Sequence, residues 1–233
     1  DATRIWRAIR YEQRLDFNIE ANTMSLLKRD IPRLDTISGD RIRRELELVL
    51  KETSPEKVLS RADKLGVLAK IHTALKYNDW MTEKFQAARK LSDPELPSLA
   101  LYLALLTYAL ADSGIADFIC YLHLPKPLGE TLHDSINLKT KLKLLSEPKL
   151  RPSRVYELLT GYQLMAITAN SIAVDSPVAQ QNIQLFLTRL RYVKPVTTGE
   201  DLKKRGIPAG PRMKEILLKL LEARLDGKVT SRK

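Results

Sequence analysis

Apolar side chains recur every three or four residues along almost the whole of this chain, and no stretch sustains the alternation that a half-buried strand requires. That feature confines the 233 residues to an all-α fold. The spacing predicts helices over 2–14, about 20–30, from Ser38 to Glu52, and from Pro55 to a stop at Gly66. Further helices are expected near 78–91, 97–111, 113–123, 129–146, 153–160, 162–172, 177–191 and 211–225. The punctuation agrees: Ser54 precedes Pro55, a residue suited to a first helical turn, and Gly66 suits a left-handed helix end. Met24, Leu26 and Leu27 are expected to point inward, and Ile42, Leu46, Val49 and Leu50 form one stripe. Trp6 and Ile9 are expected to bury against Leu46 and Leu50. The most apolar run, LALYLALLTYALA at 99–111, is too short to span a bilayer and reads as a buried helix.

Lys and Arg outnumber Asp and Glu by 39 to 28, a net charge of +11, so an acidic partner is expected, with nucleic acid ahead of membrane. The charge is unevenly placed. From Arg189 to Lys233 there are thirteen basic residues against five acidic ones. The composition changes after Val193, where KPVTTGEDLKKRGIPAGP is rich in Pro, Gly and charge, and Leu202–Leu217 reads as helix, tight turn, helix. Gly206 and Gly210 would let backbone amides approach a phosphate, with Arg212 and Lys214 at the positive end of the next helix. A helix C-cap followed by a Pro-started helix accounts equally well for the glycines, though not for the concentration of charge. Lys203, Lys204, Arg205, Gly206, Gly210, Arg212 and Lys214 are therefore the candidate RNA-binding residues.

Catalytic constellations are sparse. The single cysteine, Cys120, excludes an internal disulfide, fits a reducing compartment, and reads as core rather than nucleophile. His133-Asp134 is a dipeptide of the kind used by metal-dependent phosphohydrolases, with His72 as a third ligand. Three scattered histidines, His123 being the third, give a converging ligand set little support, and the plainer reading places His133 and Asp134 near a helix start. No glycine-rich loop follows a strand, because no strand is expected.

The opening, DATRIWRAIRYEQRLDFNIE, raises a different chemistry. Asp1 and Arg4 project from neighbouring points of one helix face, where Asp1 can also act simply as a cap. Followed twenty residues later by ISGDRIRRELELVL, this stretch resembles the region just after the catalytic head in bacterial class II tRNA nucleotidyltransferases. These are the CCA-adding and A-adding enzymes and their poly(A) polymerase relatives. The family's acidic-acidic-x-x-Arg element is matched by Asp1 and Arg4, and its RAxRF-like continuation by Arg7 to Tyr11, where Phe is commoner than Tyr. The RIRRELE segment is matched by Arg41 to Glu47, and GEDLKKRGIPAGPRMKEILLKLLEARLDGKV resembles the end of the RNA-binding region in longer members. Residues 76–195 match only in being helical.

The resemblance implies an elongated all-α chain with a neck (1–75), a body (76–195) and a basic tail (196–233). The family's first acidic residue and its head domain, with a Gly-Ser loop and a metal-binding aspartate pair, would precede Asp1. The parent would transfer AMP or CMP to an RNA 3′-hydroxyl with two Mg2+ held by that head, so this chain is expected to hold no catalytic carboxylates and no metal. Implied partners are tRNA or another RNA 3′ end, ATP or CTP, and the head domain, in the cytoplasm and away from membranes. By carry-over, Asp1 accepts from the exocyclic amine of cytosine or adenine and Arg4 donates to the ring nitrogen. Guanine and uracil present a carbonyl and a protonated nitrogen there, and would be refused. Arg7, Arg41, Arg44 and Glu45 are assigned to bracing. Helical spacing lets Arg41, Arg44 and Glu45 contact one another, while Arg43 faces elsewhere. The competing readings are a non-catalytic helical RNA-binding or scaffold module and, behind it, an HD-type phosphohydrolase.

Overall fold

Helices account for all the regular structure in residues 1–195 and 197–229, which a computed structural model of the chain describes; no strand occurs among them. The α-helices are α1 (Arg4–Leu15), α2 (Ala21–Asp30), α3 (Gly39–Leu50), α4 (Pro55–Lys64), α5 (Asp79–Ser92), α6 (Leu99–Leu106) and α7 (Asp112–Tyr121). They continue with α8 (Lys126–Lys139), α9 (Leu142–Leu145), α10 (Pro152–Leu159), α11 (Leu164–Ala173), α12 (Pro177–Thr188), α13 (Gly199–Lys204) and α14 (Pro211–Leu225). Contacts group them into two compact units, Asp1–Asn137 with Gln163–Ala173, and Leu138–Tyr162 with Val174–Lys233.

Three expected helices are shorter than their apolar patterns. The 97–111 run ends its helix at Leu106, where the Thr107 hydroxyl bonds back to the Leu103 carbonyl at 2.9 Å and tight turns follow. The 129–146 run breaks at Thr140–Lys141, with the Lys141 N–H on the Leu138 carbonyl. The 177–191 run gives way to a 3-10 turn at Leu190–Tyr192.

In the first unit, Trp6 and Ile9 of α1 are buried in one core with Leu46, Val49 and Leu50 of α3 and Val58 and Leu59 of α4. Phe85 and Tyr102, their rings 4.7 Å apart, continue that core through α5 and α6. The inward assignment of Leu26 is corrected. Only Leu27 of α2 is fully buried, Met24 is half-buried, and Leu26 is 45% exposed, because α2 presents a narrow strip to its neighbours. Cys120 is likewise exposed rather than core: the buried stripe of α7 runs through Gly114, Ile115 and Phe118, and Cys120 falls off it.

One glycine is dictated by proximity. A Cβ on Gly39 would lie 1.6 Å from the Tyr121 carbonyl oxygen, so the start of α3 sits directly against the end of α7. Arg43 completes the junction by donating to the Leu122 carbonyl at 3.3 Å and to that of His123, a cation where a helix carries its negative end. In the second unit, Leu145, Val155, Leu159, Ile183, Phe186 and Leu190 are buried, and Tyr156 packs on Phe186.

Candidate nucleotide and RNA interface

A ladder of charge pairs fixes α1. Asp1 accepts from Arg41 at 2.7 Å, Arg7 Nε donates to Glu45 at 2.9 Å, and Arg10 donates to Glu52 at 3.0 Å. Partners advance together along both segments, so α1 and α3 run in the same direction. On the other side Glu12, only 7% exposed, takes Arg61 of α4 in a two-pronged contact at 2.8 and 3.0 Å. Burial pushes the Glu12 carboxyl up, but the Arg61 pair and the Ile19 N–H outweigh it and hold the carboxyl below the usual range. Only the Asp1–Arg41 pair is exposed on both sides, and such a pair contributes about 0–1 kcal/mol. In the others a largely buried carboxylate would be costly to leave unpaired, so the contacts set the register of α1.

Sequence spacing misplaced part of this brace. Arg41 and Glu45 reach across to α1 rather than to each other, because consecutive turns of α3 face α1 along that side. Arg44 is exposed, and among the described residues its side chain makes no hydrogen bond or salt bridge. Arg10, Glu12, Glu52 and Arg61 went unassigned. A signal existed for Glu12: it follows Ile5 and Ile9 at helical spacing, on the core face, where a carboxylate needs a partner.

The candidate base-reading pair stands at the head of α1. Asp1 Oδ1 accepts from the backbone N–H and the hydroxyl of Thr3 at 3.1 and 2.9 Å, while Oδ2 takes Arg41. Three donors thus orient the carboxylate, which retains acceptor capacity for a fourth. Arg4, one turn on, is exposed and makes no side-chain hydrogen bond or salt bridge among the described residues.

The tail candidates are arranged differently. Thr198 and Asp201 form a reciprocal capping box that starts α13, and Lys203, Lys204 and Arg205 emerge exposed at its end. Gly206 adopts φ +83°, and Gly210 precedes Pro211 at the start of α14, where Arg212 and Lys214 are exposed. A Cβ on either glycine would meet nothing within 4 Å, so their turn is open to solvent. None of these five cations makes a hydrogen bond or salt bridge among the described residues. Arg232 and Lys233 lie outside the described residues. The C-terminal end of α14 is tied back to α10 by Asp226, which accepts the Ser153 N–H at 2.9 Å. Burial raises its carboxyl, but the hydrogen bonding from Ser153 and the charges of Arg151 and Lys228 outweigh that and leave it below the usual aspartate value.

The histidines are dispersed. His133 Nδ1 lies 3.6 Å from Asp112, Asp134 accepts the Gln163 N–H at 2.7 Å, and His72 Nδ1 accepts the Ala74 N–H at 3.2 Å. No group of three or more His, Cys, Asp or Glu among the described residues is placed to hold a metal ion, and no helix among them is long and apolar enough to cross a membrane.

A family profile described as the probable RNA and SrmB-binding site of polymerase A matches residues 16–77. The chain is 31% identical to the A-adding tRNA nucleotidyltransferase of Geobacter sulfurreducens, over 100% of this chain and 28% of that protein. It is 26% identical to a CCA-adding enzyme of a Geobacillus species, over 100% of this chain and 58% of that enzyme. Among solved structures, the Thermotoga maritima CCA-adding enzyme in complex with tRNA superposes with a TM-score of 0.79 at 26% identity, covering 100% of this chain and 58% of its own. A CCA-adding enzyme with CTP gives 0.78 at 27% identity, covering 100% and 57%. The chain thus spans 28% and 58% of the length of these two curated relatives.

Proposed function

We propose that this chain, which matches the C-terminal part of CCA- and A-adding tRNA nucleotidyltransferases, reads the incoming base and holds the RNA for nucleotide addition to an RNA 3′ end. The supporting observation is the head of α1, where an oriented carboxylate at Asp1 precedes an unengaged guanidinium at Arg4 by one turn. Asp1 would accept from the exocyclic amine of cytosine or adenine, and Arg4 would donate to the ring nitrogen, so CTP and ATP are admitted and GTP and UTP refused. The ladder to α3 and α4 keeps the pair in place, and the exposed cations around Gly206 and Gly210 grip the RNA by its phosphates. By role the chain divides into a neck (1–75), a body (76–195) and a tail (196–233), with a head domain as a further partner in a cytoplasmic enzyme.

Two Mg2+ ions would supply the transfer chemistry from carboxylates of the head. The described residues offer no cluster fit to hold them, and no step here runs through a metal. The chain alone, given tRNA, Mg2+ and labelled ATP or CTP, should leave the RNA unextended. In the full-length enzyme, Asp1→Ala or Arg4→Ala should each cost on the order of 1–3 kcal/mol of discrimination between ATP or CTP and GTP or UTP, by analogy with two-pronged base contacts. RNA affinity should change less. Unchanged nucleotide preference in both variants would reduce Asp1 to a cap.

A further inference from the structure

The solvent side of α1 carries a repeat that the bracing role leaves unexplained. Arg7 pairs with Glu45, and seven residues later Arg14 approaches Glu52, both pairs having the same offset along the chain. Arg7 is hydrogen-bonded through Nε at 2.9 Å, Arg14 lies in looser ionic contact with Nε 4.0 Å from its carboxylate, and each side chain remains more than half exposed, at 53% and 55%. Glu45 is buried, with only 6% of its side chain accessible. A guanidinium that meets its carboxylate through Nε keeps both terminal nitrogens available for another acceptor. For Arg7 and Arg14 those nitrogens make no hydrogen bond or salt bridge among the described residues. Such a fork suits phosphate, and the hydrogen bond to Glu45 already restricts the Arg7 rotamer.

Between the two forks, on the same face by helical spacing, lies Tyr11, 46% exposed, with the Arg10 guanidinium 4.7 Å from its ring centroid. Arg10 is itself tied to Glu52, so the ring rests on a fixed support. Phe17, just beyond the helix, is 67% exposed. Within the helix, Arg7, Tyr11 and Arg14 therefore alternate cation, aromatic and cation along one face. Seven helical residues rise roughly 10 Å, so Arg7 and Arg14 are spread along an axis rather than converging on a point. A triphosphate calls for convergence; a single strand calls for this alternation of phosphate holders and stacking faces.

We propose that the exposed face of α1 is a binding track for an unpaired RNA strand, with Arg7 and Arg14 on separate phosphate groups of that strand and Tyr11 under a base. This rests on the reading of the chain as the RNA-holding part of a nucleotidyltransferase, and extends it to a surface outside the matched 16–77 segment. Glu45 and Glu52 are positioning residues.

The test uses the whole chain and three probes: an unstructured RNA octamer, a folded tRNA, and ATP or CTP. Binding is followed by fluorescence anisotropy or calorimetry over a range of salt, with thermal melts to check folding. Arg7→Gln with Arg14→Gln should weaken octamer binding on the order of tenfold or more and flatten its salt slope by about 1.4, two phosphate contacts on a single strand. Tyr11→Ala should weaken it on the order of tenfold, with Tyr11→Phe restoring it, because stacking needs the ring and not the hydroxyl. Glu45→Gln, which keeps every cation, should weaken octamer binding with the salt slope nearly unchanged; a purely structural role would lower the melting temperature without that effect. Octamer binding as in the unaltered chain for the folded double variant overturns the track, and so does a loss confined to ATP or CTP, which would assign the face to a triphosphate. If tRNA still binds in either case, the RNA-holding reading survives. Failure of the unaltered chain to bind any RNA would overturn both.

Discussion

The first four helices and the last two carry their charge in opposite ways. Around α1, acids and bases are matched into the fold: Asp1 with Arg41, Arg7 with Glu45, Arg10 with Glu52, Glu12 with Arg61. Around α13 and α14, Lys203, Lys204, Arg205, Arg212 and Lys214 project with no hydrogen-bonded or salt-bridged partner among the described residues. The apolar support differs too. Trp6 and Ile9 are 1% and 0% exposed, whereas Leu202, Met213 and Leu225, the buried residues of the last two helices, keep 5–8%. Net charge alone does not distinguish a gripping surface from a braced one; the distinction lies in whether folding has already supplied the counter-charges.

The largest expected effect breaks or upholds that distinction directly. Reversing Lys203, Lys204, Arg205 and Arg212 to Glu should weaken tRNA binding on the order of 100-fold and flatten its salt slope by about 3. Reversing four exposed lysines of the 51–91 region, Lys51, Lys57, Lys64 and Lys76, should do far less. Affinity measured against salt for both sets decides the matter, since equal losses would mean that only total charge counts.

Next in size is a change in the braced region. Gly39→Ala drives a methyl group into the Tyr121 carbonyl and should cost about 3 kcal/mol or more, because backbone on both sides has to move. Gly206→Ala, in an open turn but at positive φ, should cost only about 1 kcal/mol. Chemical denaturation measures both. Similar losses would mean that the α3–α7 junction is looser than the close approach requires.

Glu12→Gln removes the charge that Arg61 holds and should destabilise by about 1–3 kcal/mol at neutral pH, less than for a fully buried pair because Arg61 is 32% exposed. The sign of its pH dependence follows from the depressed carboxyl. The stabilisation is present above the ordinary unfolded value of a glutamate and is lost as the pH falls through the lower folded one. Unaltered and Glu12→Gln chains should therefore converge in stability under acid, and a constant gap down to pH 2 would remove Arg61 from the account.

Much of this was legible in the sequence. The all-α class followed from spacing, and Gly66, at φ +76°, ends its helix as a left-handed residue should. The stripe Ile42, Leu46, Val49 and Leu50 is buried, as are Trp6 and Ile9. What spacing could not supply was the identity of partners. Local rules pair Arg41 with Arg44 and Glu45 because those residues share a helix side, whereas the true partners, Asp1 and Glu45's Arg7, lie about forty residues away and depend on how α1 packs on α3. The same limit applied to Leu26 and Cys120, whose surroundings are set by neighbouring helices and not by their own. Apolar continuity also overran helix ends at Leu106 and Lys139, where side-chain bonding to a carbonyl and tight turns stop a helix without any break in hydrophobicity.

The smallest effect concerns the tail's own tether. In the braced region several carboxylates share the task of fixing one helix, but α14 is joined to the start of α10 through the single carboxylate of Asp226 on the Ser153 N–H. Its removal should resemble the loss of a helix cap at a partly exposed site. Asp226→Ala is expected to cost about 0.5–1 kcal/mol at neutral pH. Asp226→Asn keeps an oxygen that can accept the N–H and should recover most of that loss, which separates the hydrogen bond from the charge. Because the folded carboxyl is depressed, the advantage of Asp226 is present above the usual aspartate value and disappears as the pH falls through its folded value. Hydrogen exchange at the Ser153 amide is the appropriate reading, since a local tether shows there before it shows in a global melt. Faster exchange in Asp226→Ala, slow exchange in Asp226→Asn, and no difference between unaltered chain and Ala variant at low pH would establish the tether. Equal exchange in all three at neutral pH would mean that α14 is held to α10 by apolar packing around Leu225 alone.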